Sequence, residues 1–441
     1  MRADRAAWSR GRGTDARRRL GDALVDEPAL FSLWRVRAVC YRVRDVDLRL
    51  SAEDEKFRTE LSAWLASAVP AYGPPPERHE WQARRAYDTG WQRKLFDAGY
   101  AGITWPAEYG GRGATLTQQL VYYEEYARAK APYVGVNFVG LLHGGPTIMV
   151  EGTPEQKERH IPFILRGEQV WCQGFSEPVA GSDLAGLRTR AERDGDHYVV
   201  NGHKIWTSFA QVADYCELLV RTDPDAPKHR GISWLIVPMN LPGIDVRPLD
   251  TLHGSSEFSE VFFDNVRVPI ANRVGAENDG WRVTNVTLRF ERGTAFASEM
   301  VDLKRWLAEV ADASRRVTSY GARAREDGHL RREIGHLQAE IDGLWYLLKL
   351  SIAEAGESGV PGVGASAVKL FFTELKQRIG DLALRVLGRA ALAREDIAGL
   401  PVEDFSHEAM QSLSMTIAAG SSQIQRNIIA ERILGLPKEP K

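Results

Sequence analysis

Arg188-Thr-Arg-Ala-Glu-Arg-Asp-Gly-Asp-His-Tyr-Val-Val-Asn-Gly-His-Lys-Ile-Trp206 is the stretch on which the fold turns. Its apolar and polar residues tend to alternate, the period at which side chains face opposite sides of a strand. Asp194-Gly195 and Asn201-Gly202 interrupt the alternation. Both dipeptides favour the tight turns of β-hairpins, because glycine takes a positive φ at little steric cost. The reading is two hairpins, with strands over 188–193, 196–200 and 203–206. Further strand-like runs follow at 216–221, 232–238, 244–249 and 261–268, separated by loops carrying Pro and Gly. Residues 170–275 therefore read as a central antiparallel β domain, a sandwich or barrel.

Working outward, both flanks change to a helical period. Ser51-Ala-Glu-Asp reads as a capping box ahead of Phe57, Leu61, Trp64 and Leu65. Thr153-Pro154-Glu155-Gln156 opens another helix, stopped near Gly167. Between them, Gly99–Gly111 is a loop rich in breakers. Residues 51–169 thus form an N-terminal α-helical domain. After the β domain, apolar stripes at 283–297, 334–348, 370–387 and 421–434 suggest four long helices. Residues 276–441 read as a C-terminal four-helix bundle. The fold class is α+β and multi-domain, in the order α, β, α.

Residues 1–50 are rich in Arg and contain no Lys. They lack the apolar core of a secretory signal, and their scattered acids (Asp4, Asp15, Asp22, Asp26, Glu27) are foreign to a transit segment. Composition favours a poorly ordered extension over a targeting segment.

The 441 residues carry 57 Lys and Arg against 59 Asp and Glu, a formal charge of −2. No basic excess exists to bind nucleic acid. No apolar run approaches the length of a membrane span. Three cysteines (Cys40, Cys172, Cys216) make neither a disulfide framework nor a zinc motif, and no metal site is expected. A reducing, cytoplasmic setting is the simplest reading. Dinucleotide and triphosphate fingerprints are absent, since Gly110-Gly111-Arg112-Gly113 does not follow a strand. His143-Gly144-Gly145 resembles an oxyanion-hole tripeptide, but without a nucleophile elbow it reads as a helix–turn junction.

Four segments resemble the acyl-CoA dehydrogenase family. They are Trp171-Cys-Gln-Gly-Phe-Ser-Glu-Pro-Val-Ala-Gly-Ser-Asp183, Val200-Asn-Gly-His-Lys-Ile-Trp-Thr-Ser208, Val261-Phe-Phe-Asp-Asn-Val-Arg-Val-Pro269 and Gly420-Ser-Ser-Gln-Ile-Gln-Arg426. The resemblance runs from about Ser51 to the C-terminus and implies the same α–β–α order. It implies bound FAD and oxidation of an acyl-CoA thioester to the trans-2-enoyl-CoA, an early step of fatty-acid and lipid breakdown. A carboxylate removes the weakly acidic α-proton. Fixed donors stabilise the enolate oxygen. The β-hydrogen leaves as hydride to flavin N5.

By the same resemblance, Gln173 and Phe175 present backbone to the flavin's pyrimidine edge. The Ser176 and Ser208 hydroxyls lie beside the ring, and Trp206 flanks it. Ser421 and Gln423 fall near the cofactor, and Ser182 near the acyl-CoA. Many members place the base in Glu-Gly-Thr-Ser near the end of the chain. Here Ala419 fills that slot and keeps only its backbone N–H for the thioester oxygen. A subset of members, isovaleryl- and long-chain-type enzymes among them, places the base on an earlier helix. Gly280-Trp-Arg-Val-Thr-Asn-Val-Thr-Leu-Arg-Phe-Glu291 matches that helix without gaps, so Glu291 is the implied base. Its neighbours Arg289 and Arg292 match positions near CoA.

Two departures concern assembly. Homotetrameric members lend an Arg-x-Thr-Phe-Gly segment to a neighbour's FAD, and the equivalent here is Ala324-Arg-Glu-Asp-Gly328. A Gln-x-x-Gly-Gly segment appears as Arg385-Val-Leu-Gly-Arg389. A homo- or hetero-oligomer is expected, with an electron-transferring flavoprotein as acceptor. Two alternatives keep the fold: an acyl-CoA oxidase, and a non-catalytic FAD- or acyl-CoA-binding subunit of a mixed assembly.

Overall fold

Ser51 opens the first helix with the reciprocal bonds of a capping box: its hydroxyl accepts from Asp54 N–H at 3.1 Å, and Asp54 accepts from Ser51 N–H at 3.2 Å. The computed structural model describes residues 49–291, 296–319, 321–358 and 364–438. The expected N-terminal extension falls almost entirely on residues 1–48, which lie outside the described residues.

Five helices build the N-terminal part: α1 Ala52–Tyr72, α2 Trp81–Asp97, α3 Leu116–Arg128, α4 Gly145–Glu151 and α5 Pro154–Leu165. Their core holds the buried indoles of Trp91 and Trp105, and Trp171 from the sheet joins it. A π-helical turn, Gly140–Gly144, leads into α4. Gly145 is required there, because a Cβ would stand 2.6 Å from the Trp105 ring.

The middle of the chain forms an eight-stranded sheet. Its strands are β1 Trp171–Gly174, β2 Arg190–Asp194, β3 His197–Ser208, β4 Tyr215–Arg221, β5 Ile232–Pro238, β6 Ile244–Leu249, β7 Phe258–Pro269 and β8 Arg273–Val274. The order is β6-β7-β3-β2-β4-β5-β8, with β1 paired to β4. Most neighbours are antiparallel, but β1 runs parallel to β4 and β2 meets β4 in a parallel bridge. The parallel pairings were not legible, because a short apolar run does not disclose its partner's direction.

The Asp194-Gly195 turn forms as expected, with Asp194 opposite His197 and Gly195 at φ +60°. Asn201-Gly202 does not turn; β3 runs straight through it. The glycine serves close approach instead: a Cβ there would stand 2.6 Å from Thr189 Cα. The irregularity lies opposite, where β7 carries an extra residue and Asn265 sits at φ +52°, its N–H donating to Asn201 Oδ1 at 2.9 Å. A second irregularity adds a residue to β3 between Lys204 and Thr207.

Helices then return as α6 Gly280–Glu291, α7 Phe296–Arg316, α8 Gly328–Ser358, α9 Gly364–Leu387, α10 Val402–Met415 and α11 Ser422–Ile428, with a small β9–β10 ladder, Thr318–Ser319 against Ala322–Arg323. Helices α7 to α10 share one apolar core through Leu303, Val310, Leu344, Phe372 and Phe405. The helix expected over 421–434 is the seven-residue α11 followed by a π-helical turn, and α10 takes the fourth place in the bundle. Its buried face includes Ser406, Ala409 and Ser412, small residues that leave no strong apolar stripe.

Helix α6 joins the first two parts of the fold rather than the bundle. Its Thr287 hydroxyl meets Thr147 of α4 at 2.8 Å, and Arg282 makes a two-pronged pair with Glu151 at 2.5 and 2.8 Å. Arg85 of α2 holds Asp214 beside the sheet through one nitrogen, Nη2, which donates to both carboxylate oxygens at 2.9 and 2.7 Å.

Candidate functional site

The segment after β1 and the bulged end of β3 are locked together. Lys204 is fully buried, and its ammonium donates to Glu177 Oε1 at 2.8 Å and to the Phe175 carbonyl at 3.1 Å. Glu177 also accepts from the backbone N–H groups of Thr189, at 2.9 Å, and Arg188, at 2.7 Å. A buried ion pair is tolerated when both partners gain further hydrogen bonds, as here. Burial alone would raise the Glu177 carboxyl; the Lys204 charge and these donors outweigh it and hold it below the usual carboxylate range. Burial pushes the Lys204 ammonium down, with Glu177 opposing.

This pair sets the frame for its neighbours. Ile205 N–H donates to the Ser176 carbonyl at 3.0 Å, so Ser176 sits against the bulge. The next residue, Trp206, is forced to φ +61° and its indole stands 55 % exposed, edge-on to Phe258 at 5.9 Å. A bulky residue in the left-handed region is a strained position, and strain of this kind concentrates where function needs a set geometry. Among the described residues, the half-buried Ser176 and Ser208 hydroxyls have no hydrogen-bond partner. The buried Thr207 hydroxyl has none either. An exposed aromatic face beside unengaged hydroxyls suits a flat heteroaromatic ring with a polar edge.

The junction gathers Gln173, Phe175, Ser176, Trp206 and Ser208. The Phe175 side chain is core, 4 % exposed, which leaves only its backbone for a ligand. Gln173 is half-buried and its amide donates to Glu217 of β4 at 2.7 Å. Ser182 is exposed on the loop after the tight turn that joins Glu177 to Ala180 by two backbone bonds of 3.1 and 3.0 Å.

A second group sits on the bundle. Ala419 lies between α10 and α11, exposed and at φ +52°. The loop is anchored from beneath: buried Lys369 of α9 donates to the carbonyls of Met415 at 3.1 Å and Gly420 at 2.8 Å. Gln425 donates to the carbonyls of Ala419, at 3.2 Å, and Gly420, at 3.3 Å. The Ala419 N–H has no partner among the described residues. Ser421 caps α11 by accepting from Ile424 N–H at 3.4 Å, and Gln423 is exposed on that helix. No hydrogen bond or ring contact among the described residues joins this group to the Ser176–Trp206 junction.

Glu291 is the last residue of α6. The side chains of Glu291 and Arg289, and all of Arg292, lie outside the described residues. Sequence reasoning missed the Lys204–Glu177 pair, Lys369, and the buried contact of His143 with Gln173. The first two had a signal: a lone Lys in an apolar strand or helix face needs a partner.

Among the described residues no His, Cys, Asp and Glu group could hold a metal ion, and no helix is long and apolar enough to cross a membrane. Sequence profiles of the acyl-CoA dehydrogenase N-terminal, middle and C-terminal domains match residues 51–168, 172–266 and 278–434. The chain is similar to the acyl-CoA dehydrogenase IpdE1 of Mycobacterium tuberculosis, 39% identical over 401 residues, covering 88% of this chain and 99% of that one. Among solved structures it is similar to the ChsE4-ChsE5 complex from Mycobacterium tuberculosis, with a TM-score of 0.74 and 35% identity, over 89% of this chain and 99% of the other. It is also similar to the Tcur3481-Tcur3483 steroid acyl-CoA dehydrogenase, with a TM-score of 0.75 and 32% identity, over 89% of this chain and 100% of the other.

Proposed function

The chain belongs to the acyl-CoA dehydrogenase family of FAD-dependent oxidoreductases, and from that premise we propose that it dehydrogenates the Cα–Cβ bond of an acyl-CoA thioester with Glu291 as base. The observation that carries this reading is the pair of base slots. The loop slot holds Ala419, which cannot accept a proton, while the alternative slot at the end of α6 holds a carboxylate.

The residues present fit FAD. Trp206 offers the aromatic face, and Ser176 and Ser208 offer unengaged hydroxyls in one frame. FAD, when bound, supplies the hydride acceptor. Glu291 takes the α-proton, and the unengaged Ala419 N–H donates to the thioester oxygen as its charge grows. Ser182 and the Arg289–Arg292 segment are assigned to the acyl-CoA.

The substrate class we infer is a bulky, steroid-derived acyl-CoA, supported by the likeness to a steroid acyl-CoA dehydrogenase. A mixed assembly is supported by Arg385. Its guanidinium is bound to Glu333 and Asp381 of its own chain, at 2.8 Å and 2.9 Å, and so is not spare to reach a neighbour's FAD. The acceptor we assign is an electron-transferring flavoprotein.

The test is the visible spectrum of the purified protein, alone and co-expressed with candidate partner chains, followed by anaerobic addition of straight-chain and steroid-derived acyl-CoAs. The flavin band should bleach with the bulky thioesters. Glu291→Gln should keep the band and lose the bleaching; a Glu291→Gln protein that still bleaches at the wild-type rate would remove Glu291 as the base.

A further inference from the structure

Three polar side chains, two of them buried, meet behind β1. Gln173 of β1 and Glu217 of β4 are direct partners in the parallel pairing, which places them side by side. His143 enters from the π-helical turn before α4. Gln173 Nε2 donates to Glu217 Oε1 at 2.7 Å and stands 3.1 Å from His143 Nδ1. Glu217 is fully buried and His143 is 4 % exposed. Proton abstraction uses neither, and both are costly to place in an apolar interior.

A primary amide has two hydrogens on nitrogen and an acceptor on oxygen. Both hydrogens of Gln173 face acceptors here, a carboxylate oxygen and a ring nitrogen. His143 therefore carries its proton on Nε2. An inverted amide would press oxygen against oxygen in a dry interior. The network thus fixes the nitrogen inward and leaves Oε1 on the other side. Among the described residues Oε1 accepts no bond, and Gln173 is only half-buried, so a ligand can reach it.

We propose that Gln173 Oε1 accepts a hydrogen bond from the flavin N3–H, with Glu217 and His143 as positioning residues that fix the amide. The inference rests on the FAD reading, which puts residue 173 at the pyrimidine edge. That edge presents one N–H between two carbonyls, so a lone side-chain acceptor selects a single atom. The backbone contacts implied for Gln173 and Phe175 hold the edge in place; the side chain adds a choice of donor.

The test titrates apoprotein with FAD and with N3-methyl-FAD, following quenching of flavin fluorescence. Wild type should bind the methylated analogue about ten- to a hundredfold more weakly, the range of one hydrogen bond denied its donor. Gln173→Leu should bind FAD about tenfold more weakly and treat the two flavins alike. Glu217→Gln offers both donor and acceptor to the amide, and should narrow the wild-type discrimination. Equal binding of both flavins by wild type overturns the inference while the FAD reading stands. Undiminished discrimination by Gln173→Leu also overturns it, because the methyl group would then be rejected by backbone or bulk. Full discrimination by Glu217→Gln removes the positioning role of Glu217. Wild type that binds neither flavin overturns the inference together with the FAD reading.

Discussion

The Ser176–Trp206 junction and the Ala419 loop are held by opposite means. At the junction a buried cation meets a buried anion, and the pair ties two strand segments to each other. In the loop a buried cation, Lys369, meets main-chain carbonyls, and Gln425 adds two more such bonds. The first arrangement holds the segments that carry Ser176, Trp206 and Ser208, which in the function proposed act through their own side-chain atoms. The second fixes only the path of the main chain, which is all that Ala419 has to offer. A region that works through backbone tolerates a residue such as Ala419; a region that works through side chains does not.

That contrast can be broken most severely at the proposed base, Glu291. Glu291→Gln should lower turnover by about 10²–10⁴-fold, the usual worth of a positioned base. Adding Ala419→Glu to that variant should restore part of the rate in stopped-flow reduction, since the loop slot regains an acid. No recovery would mean that the loop now offers backbone alone.

The next effect is on the junction. Lys204→Met leaves Glu177 buried without its cation, and should cost about 3–5 kcal/mol in urea unfolding, with loss of bound FAD. Adding Glu177→Leu should recover part of the stability but not the flavin. The pH dependence has a definite sign. The Glu177 carboxyl is held below its ordinary range, so its contribution is complete at neutral pH and is lost as pH falls through that lowered value. Lys204→Met should flatten this acid limb.

Lys369→Met should be milder, about 1.5–3 kcal/mol for hydrogen bonds from a charged donor. If the loop works through backbone, kcat should fall while FAD stays bound; loss of flavin instead would merge the two regions. Ser51→Ala is the smallest, about 1 kcal/mol for a lost helix cap, and should leave both flavin content and kcat unchanged.

Much of this was legible beforehand. Strands β5 and β6 were expected at 232–238 and 244–249, and the structure has them at Ile232–Pro238 and Ile244–Leu249, because Pro and Gly mark both their ends. The Ser51 and Thr153 capping boxes were legible for a similar local reason. Asn201-Gly202 misled, since the same dipeptide serves a turn or a close approach, and only Thr189, twelve residues away, decides which. Trp206 and Ser176 were singled out by motif, and the structure sets both beside the Lys204–Glu177 pair. The contact of His143 with Gln173 was not legible, because it joins residues 30 apart whose meeting depends on the packing of a helical turn against a sheet.

The two irregularities between β3 and β7 can be counted like dislocations in a crystal. Val200 opposes Val266, Gly202 opposes Phe263, and Thr207 opposes Ser259. The first step adds a residue to β7 and the second adds one to β3, so the lattice is out of phase only between them and in phase again at Ser208–Phe258. Phase in a strand decides which face every later side chain takes. A single-residue deletion in either strand would therefore leave one defect uncancelled and turn over everything beyond it. Deletions paired across both strands would annihilate the defects and preserve the frame. Insertions and deletions in this sheet are thus constrained to travel in pairs, a rule on how β3 and β7 can change length that no single position carries.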